Sequence, residues 1–193
     1  MKKFLIGIFA VALALPAMSQ ITVGGSLGLT TMENATAFSI NPEIGYKQSD
    51  KLAFGVDLSY EMSKNLFYMK DLTLDDLYVF GYLYGDDIRM TTIGAGIFVR
   101  CYFPITDRVT FALKNGASYG GSTIKADDEK VGEASIIGLK VAPEFWFSIT
   151  NTTSICASLG SIGYTNIKPK GGDSSNVFGV NWNSFSLGVG FAF

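Results

Sequence analysis

Eight charged residues stand at alternate positions within stretches that are otherwise apolar or built of small residues: Glu43, Lys47, Asp57, Glu61, Arg100, Lys114, Lys140 and Glu144. Acids and bases are equal in number among them, so the chemistry they can do is mutual neutralisation. A carboxylate held against an ammonium or guanidinium group tolerates removal from water that neither tolerates alone. Other chemistry is poorly supplied. The chain contains no His, which removes Ser-His and Cys-His nucleophile pairs and the commonest metal ligand. The adjacent carboxylates Asp75-Asp76 and Asp127-Asp128 lie in polar segments and read as solvated surface. The glycine-rich GAGIFVR sits inside an alternating stretch, whereas a phosphate loop needs a switch from strand to helix. No enzyme activity, metal or cofactor is expected.

The elements that carry these charges have a period of two almost throughout. Alternation runs from Ile21 to Leu29, Phe38 to Tyr46, Leu52 to Met62, Ile93 to Phe103, Val109 to Tyr119, Ile137 to Ile149, Ile155 to Leu159, and along a last strand from Trp182 to Phe193. These read as half-apolar β-strands. Tight turns at 48–51, 104–107 and 150–153 alternate with longer connections at 31–36, 63–87, 121–134 and 165–181. Pattern leaves open whether 63–87 extends its strands or holds a short helix near Leu72 to Tyr78. Short turns at one end and long loops at the other predict an all-β fold: an eight-stranded antiparallel up-and-down transmembrane β-barrel with short periplasmic turns and longer extracellular loops. No sheet edge can stay open in lipid, so the strands must close. A barrel of eight strands is filled by side chains.

Alternation alone does not say which face is outside. A soluble lipocalin-like barrel binding a small apolar ligand would carry the apolar face within. Its outer face would then hold Lys, Glu and Thr. Here the second parity is mostly Gly, Ala, Ser and Thr, which suits a narrow lumen. Tyr46, Phe103, Phe147, Phe191 and Phe193 fall near the turn end, and Tyr60 and Tyr119 toward the loop end, as aromatic girdles do at membrane interfaces. The start of the chain agrees. MKKFLIGIFAVALALPAMSQ has basic Lys2-Lys3, an apolar run too short to span a bilayer, Pro16 and small Ala17 and Ser19, the pattern of a cleaved signal peptide over 1–19. Residues 20–193 then form one barrel domain. Loss of Lys2 and Lys3 moves the formal charge from −2 to −4, with no basic footprint for nucleic acid. The hydrophobic fraction of 48% and mean hydropathy of +0.27 come from residues spread over many strands.

Counted from the nearest turn, Glu43, Asp57, Arg100, Lys114 and Glu144 reach similar depths. Arg100 and Lys114 are expected to pair with Glu43, Asp57 and Glu144 across the lumen, within a charge network that also takes in Glu61 and Lys140. The network reads as a structural plug, with a gate on a narrow path for ions or small solutes as the alternative. Cys101 and Cys156 fall on opposite faces of non-adjacent strands, which forbids the spacing a disulfide needs. Two free thiols are expected.

With SINPEIGYKQSDKLAFGVDLSY, FVRCYFPITDRVTFAL, VAPEFWFSITNTTSICASLGSIGY and the terminal SLGVGFAF, the chain resembles the small outer-membrane β-barrel family of OmpX/OmpA type, in the versions common in Bacteroidetes. The resemblance implies a place in the outer membrane of a Gram-negative bacterium, with outer-membrane lipid and the barrel assembly machinery as partners. It implies that Leu187, Val189, Phe191 and Phe193 form the assembly signal. Roles in the family are mixed: envelope integrity, adhesion, narrow pores. A structural or surface-interaction role is expected here, with a surface ligand or host partner met through 63–87 and 165–181. Phe67, Tyr68, Tyr78, Tyr82 and Tyr84 are candidate contacts or plain extensions of the wall.

Overall fold

The computed structural model describes residues 20–32, 35–64, 88–126 and 128–193. Residues 1–19, where a leader is expected, and the aromatic segment 65–87 lie outside them. Eight antiparallel strands follow in chain order: β1 Gln20–Met32, β2 Ala35–Ser49, β3 Leu52–Lys64, β4 Ile88–Pro104, β5 Val109–Ala126, β6 Glu129–Ser148, β7 Thr153–Pro169 and β8 Ser175–Ala192. Each pairs with the next, and β8 returns to β1 from Thr22↔Ala192 to Thr30↔Ser184, which closes the barrel. The seam is extended by Phe193, whose N–H donates to Ile21 O at 3.0 Å.

Alternation sets the two faces. Large apolar side chains cover the outside: Val56, Leu58, Ile97, Leu139 and Leu187 are each half exposed or more. Ala53, Phe98, Ala112 and Ala142, on the other parity, are buried. This is the inverse of a lipocalin-like barrel, and an apolar exterior of such extent is costly in water. Asn115 is an exception on the outer parity of β5. Its amide turns back to the carbonyls of Leu113 at 3.3 Å and Val99 at 3.5 Å, so its polarity is spent on the wall itself.

Two turns at the closed end share one construction, and the sequence shows why. In Pro104-Ile-Thr-Asp and Ser148-Ile-Thr-Asn the isoleucine N–H bonds back across the turn, Ile105 to Val109 O and Ile149 to Thr153 O, both at 2.9 Å. The threonine hydroxyl then accepts from the first amide of the next strand: Thr106 Oγ1 from Val109 N–H at 3.1 Å, and Thr150 Oγ1 from Thr153 N–H at 3.0 Å. Such side-chain bonds stand in for backbone partners that a turn lacks.

At the other end the structure corrects the sequence reading. The segment 121–134 is two paired strand ends, which turn at Asp128 with φ 64°. The segment 165–181 is likewise strand on both sides of a turn containing Gly171 at φ 83°. In 31–36 the strands leave only residues 33 and 34 between them. Polar composition suggested loops, but backbone groups pair whatever the side chains are, and a hairpin already begun extends cheaply.

A second correction concerns β7 and β8. Ile155 and Leu159 face outward on odd positions, but Ile162 and Tyr164 do so on even ones. On β8 the even Phe178, Val180 and Trp182 give way to the odd Phe185 and Leu187. The pairing shifts between Leu159 and Ser161. Gly160 there has φ +69°, and a Cβ on it would lie 2.6 Å from Asn181 O. Each strand thus changes parity once, side by side, and both apolar faces stay outside. Gly160→Val should lower the stability of the folded barrel by about 1–3 kcal/mol, read as a lower temperature for loss of the compact band on an SDS gel. An unchanged transition would mean that Gly160 bears no strain.

Candidate functional site

The lumen is furnished by small residues with a few large exceptions at one level. Register places Glu43 beside Asp57 on β2 and β3, and Arg100 beside Lys114 on β4 and β5. Each pair alone is a like-charge neighbour pair and destabilising. Facing each other across a narrow lumen, the two pairs become complementary. Arg100 Nη2 donates to Glu43 Oε1 and Oε2 at 2.9 and 3.0 Å, and its Nε donates to Glu144 Oε2 at 2.8 Å. Lys114 Nζ reaches Glu43 Oε2 and Asp57 Oδ2, both at 2.8 Å. Glu144 Oε2 also accepts from Trp146 Nε1 at 2.8 Å. Arg100 retains 3% side-chain exposure. Three carboxylates and two cations therefore share one buried cluster.

Aromatic rings complete it. Phe98 lies 4.8 Å from the Arg100 guanidinium carbon and 4.4 Å from Lys114 Nζ, and Trp146 lies 4.7 Å from the same guanidinium carbon. Tyr102 meets Trp146 edge-on at 6.4 Å. A cation held over ring faces in a dry site keeps part of the stabilisation that water would have given. Glycine makes the room. Phe98 has Gly55 and Gly116 as its cross-strand neighbours, and a Cβ on Gly55 would collide with its ring. A Cβ on Gly190 would lie 2.8 Å from Trp146 Cζ3.

The sequence reading named seven luminal charges as one network, and the structure brings five together. Glu61 and Lys140 stand apart, each four residues along its strand from Asp57 or Glu144, or about 13 Å at strand rise. Glu61 faces Ser39 and Thr92 in register; Lys140 faces Gly116 and Gly163. They feel each other electrostatically without an ion pair. Lys47, at the turn, pairs instead with Asp50 at 3.3 Å. Cys101 and Cys156 are free thiols on opposite faces. Leu187, Val189 and Phe191 line the outside of β8 at the seam, followed by Phe193. Sequence reasoning gave no role to Phe98, Tyr102 and Trp146. The signal was present: they are large residues on the small parity, Phe98 opposite Gly55 and Gly116 and Tyr102 opposite Ala112.

Space remains on the turn side of the cluster, a vestibule of about 590 Å³ touched by Glu43, Arg100, Tyr102 and Trp146. On the outer wall a shallow groove runs between two rows of outward side chains, from Phe54 and Ile97 to Ile162 and Phe178. Among the described residues no group of His, Cys, Asp and Glu is arranged to hold a metal ion.

No family model and no curated protein matches the sequence. Solved structures do. Neisserial surface protein A is 20% identical, over 91% of this chain and 97% of its own, with TM-score 0.49. Ail, the attachment invasion locus protein of Yersinia pestis, is 15% identical over 91% and 97%, with TM-score 0.41. A major outer membrane protein from Thermus thermophilus is 12% identical over 91% and 100%, with TM-score 0.49. At such identities the likeness is one of fold.

Arg100→Met should destabilise the barrel by about 3–5 kcal/mol, because it leaves Glu43 and Glu144 buried with too little positive charge. Urea unfolding in lipid vesicles, followed by Trp fluorescence, measures this. Asp57→Asn should cost clearly less, since Lys114 keeps Glu43. Equal losses in the two variants would refute an arrangement centred on Arg100.

Proposed function

We propose that this chain is an integral outer-membrane barrel with a structural or surface-interaction role, its lumen closed by the Arg100 cluster. The observation that carries the reading is its inverted polarity: large apolar side chains outside, and paired charges at the centre of the lumen. That distribution suits lipid around the wall and is unfavourable in water. Export through a signal peptide at 1–19 and insertion through the outer-membrane assembly machinery, with Leu187, Val189, Phe191 and Phe193 as the signal, belong to the same reading. Catalysis does not.

Surface contact falls to the end opposite the short turns. The β5–β6 and β7–β8 hairpins are the described candidates, together with 65–87 and its aromatic residues. A narrow channel is the second reading, favoured by the open vestibule on the turn side of the cluster.

Unboiled membrane extracts should run as a compact band on an SDS gel that shifts on boiling, and the purified protein should be silent in planar bilayers. Steady unit currents would favour the channel. A protein found in the soluble fraction with no shift would overturn membrane insertion altogether.

A further inference from the structure

The vestibule at the turn end is walled by residues of seven strands, β1, β2 and β4 to β8, so it is the mouth of the lumen itself. At its inner end Trp146 and Tyr102 stand against the ion cluster. Arg100 covers one face of the indole at 4.7 Å, and Tyr102 meets the ring edge-on. Trp146 is half-buried and lines the cavity, so the ring surface it gives to the cavity is what those two leave free. Thr22, Thr110, Ser148 and Ser154 bring four hydroxyls to the walls, from β1, β5, β6 and β7. Among the described residues none of the four hydroxyls has a hydrogen-bond partner. None is sealed from solvent either, since Ser63 Oγ is the one buried polar side-chain atom without a partner among those residues. The charges of the lining are matched in pairs: Glu43 with Arg100 at 2.9 Å, and Lys47 with Asp50 at 3.3 Å. Of the charged lining residues Asp107 alone, exposed on its turn, stands outside these pairs.

These features share one complement. A hydroxyl both donates and accepts, so four free hydroxyls suit a ligand whose own polar groups do the same. Matched charges exert little net pull on an ion, and an entering ion would meet like charges as well as opposite ones. The aromatic surface takes an apolar C–H face. The volume of about 590 Å³ falls within the span of ligand pockets, about 300–1,000 Å³. We propose that the vestibule is a binding site for a neutral saccharide of one or two rings. Its hydroxyls meet Thr22, Thr110, Ser148 and Ser154, and one of its C–H faces meets Trp146. The cluster closes the inner end, so the ligand enters from the turn side. A free sugar and the end of a glycan strand offer the same chemistry there. The inference goes beyond the surface role and rests on the barrel and on the cluster that closes it.

The full chain is reconstituted in phospholipid nanodiscs, and magnetisation transfer from protein to ligand is recorded by NMR. The probes are glucose and N-acetylglucosamine, with the maltose, chitobiose, maltohexaose and chitohexaose built from them. At least one of these sugars should bind saturably to the wild type. Thr22→Val and Thr110→Val keep the side-chain shape and remove the hydroxyl, and each should weaken binding by about two- to tenfold. Thr22→Ser should retain binding, and Ser154→Phe should abolish it by filling the cavity. A hexasaccharide bound as tightly as its disaccharide supports the site with a chain end as its ligand, and binding of the short sugars alone supports it with a free sugar. The boiled and unboiled gel bands establish that each variant is folded. Absence of saturable transfer from every sugar to folded wild type overturns the proposal. So does undiminished binding by Ser154→Phe or by both valine variants. Glucuronate or glucosamine bound as tightly as glucose also overturns it, since the site would then be reading charge. Conductance and the gel shift of the same preparation report on the closed lumen and the membrane barrel, so failure of those readings is distinguishable from failure of this one.

Discussion

Closure of the sheet by β1 on β8 is the constraint on which the rest of this molecule depends. A closed sheet of eight strands fixes the lumen radius, and that radius admits one or two large side chains at any level. Inward positions are then mostly small, and a ring such as Phe98 fits because its neighbours are Gly55 and Gly116. The apolar residues have no inner space to fill and face outward. Strand β8 is held by β1 from Thr22↔Ala192 to Thr30↔Ser184, and the Phe193 amide adds one bond to Ile21 O.

Within that radius, the charges are arranged in an unusual order. Neighbouring strands carry like charges side by side, Glu43 with Asp57 and Arg100 with Lys114. Hairpins β2–β3 and β4–β5 are therefore each electrostatically unfavourable along their own pairing. They become favourable only when curvature brings one pair across the lumen to the other. The preference for the closed state is written into the side chains as well as the backbone. Glu144, fixed by Trp146 on a third hairpin, adds a further tie to the same guanidinium. Tertiary order and ion pairing are one event here rather than two.

The strands, the outward face and the five clustered charges were legible because they depend on parity, and parity is a local property of sequence. What was not legible depends on quantities that no single strand carries. Lys140 and Glu61 share the parity of the cluster, but their heights in the lumen follow from the stagger of the whole barrel. Depth counted from turns picked out the five, and adding Lys140 and Glu61 to them merged two tiers into one. The role of Phe98 needed knowledge that Gly55 and Gly116 stand beside it, which is register between strands. The upper hairpins of β5–β6 and β7–β8 were hidden because Ser, Asn, Lys and Gly signal turns by composition, while backbone pairing ignores composition once a hairpin has begun. The parity change at Gly160 was hidden for a related reason: an interrupted alternation looks like the end of a strand.

The matched bulges of β7 and β8 have a consequence for how such a chain can change over generations. Loss of one codon at Gly160 would remove the extra residue of β7 and leave Leu159, Ile162 and Tyr164 in regular alternation, still outward, but β8 would keep its own irregularity unmatched. Loss of one codon elsewhere in β7, as between Ile155 and Leu159, would turn every later residue inside out and send Ile162 and Tyr164 into the lumen. Length variation in this part of the wall is thus confined to the bulges and the hairpin tip, where residues can be gained or lost in pairs. The lower halves of the same two strands, of which β8 holds the seam with β1, are insulated from whatever happens at that tip.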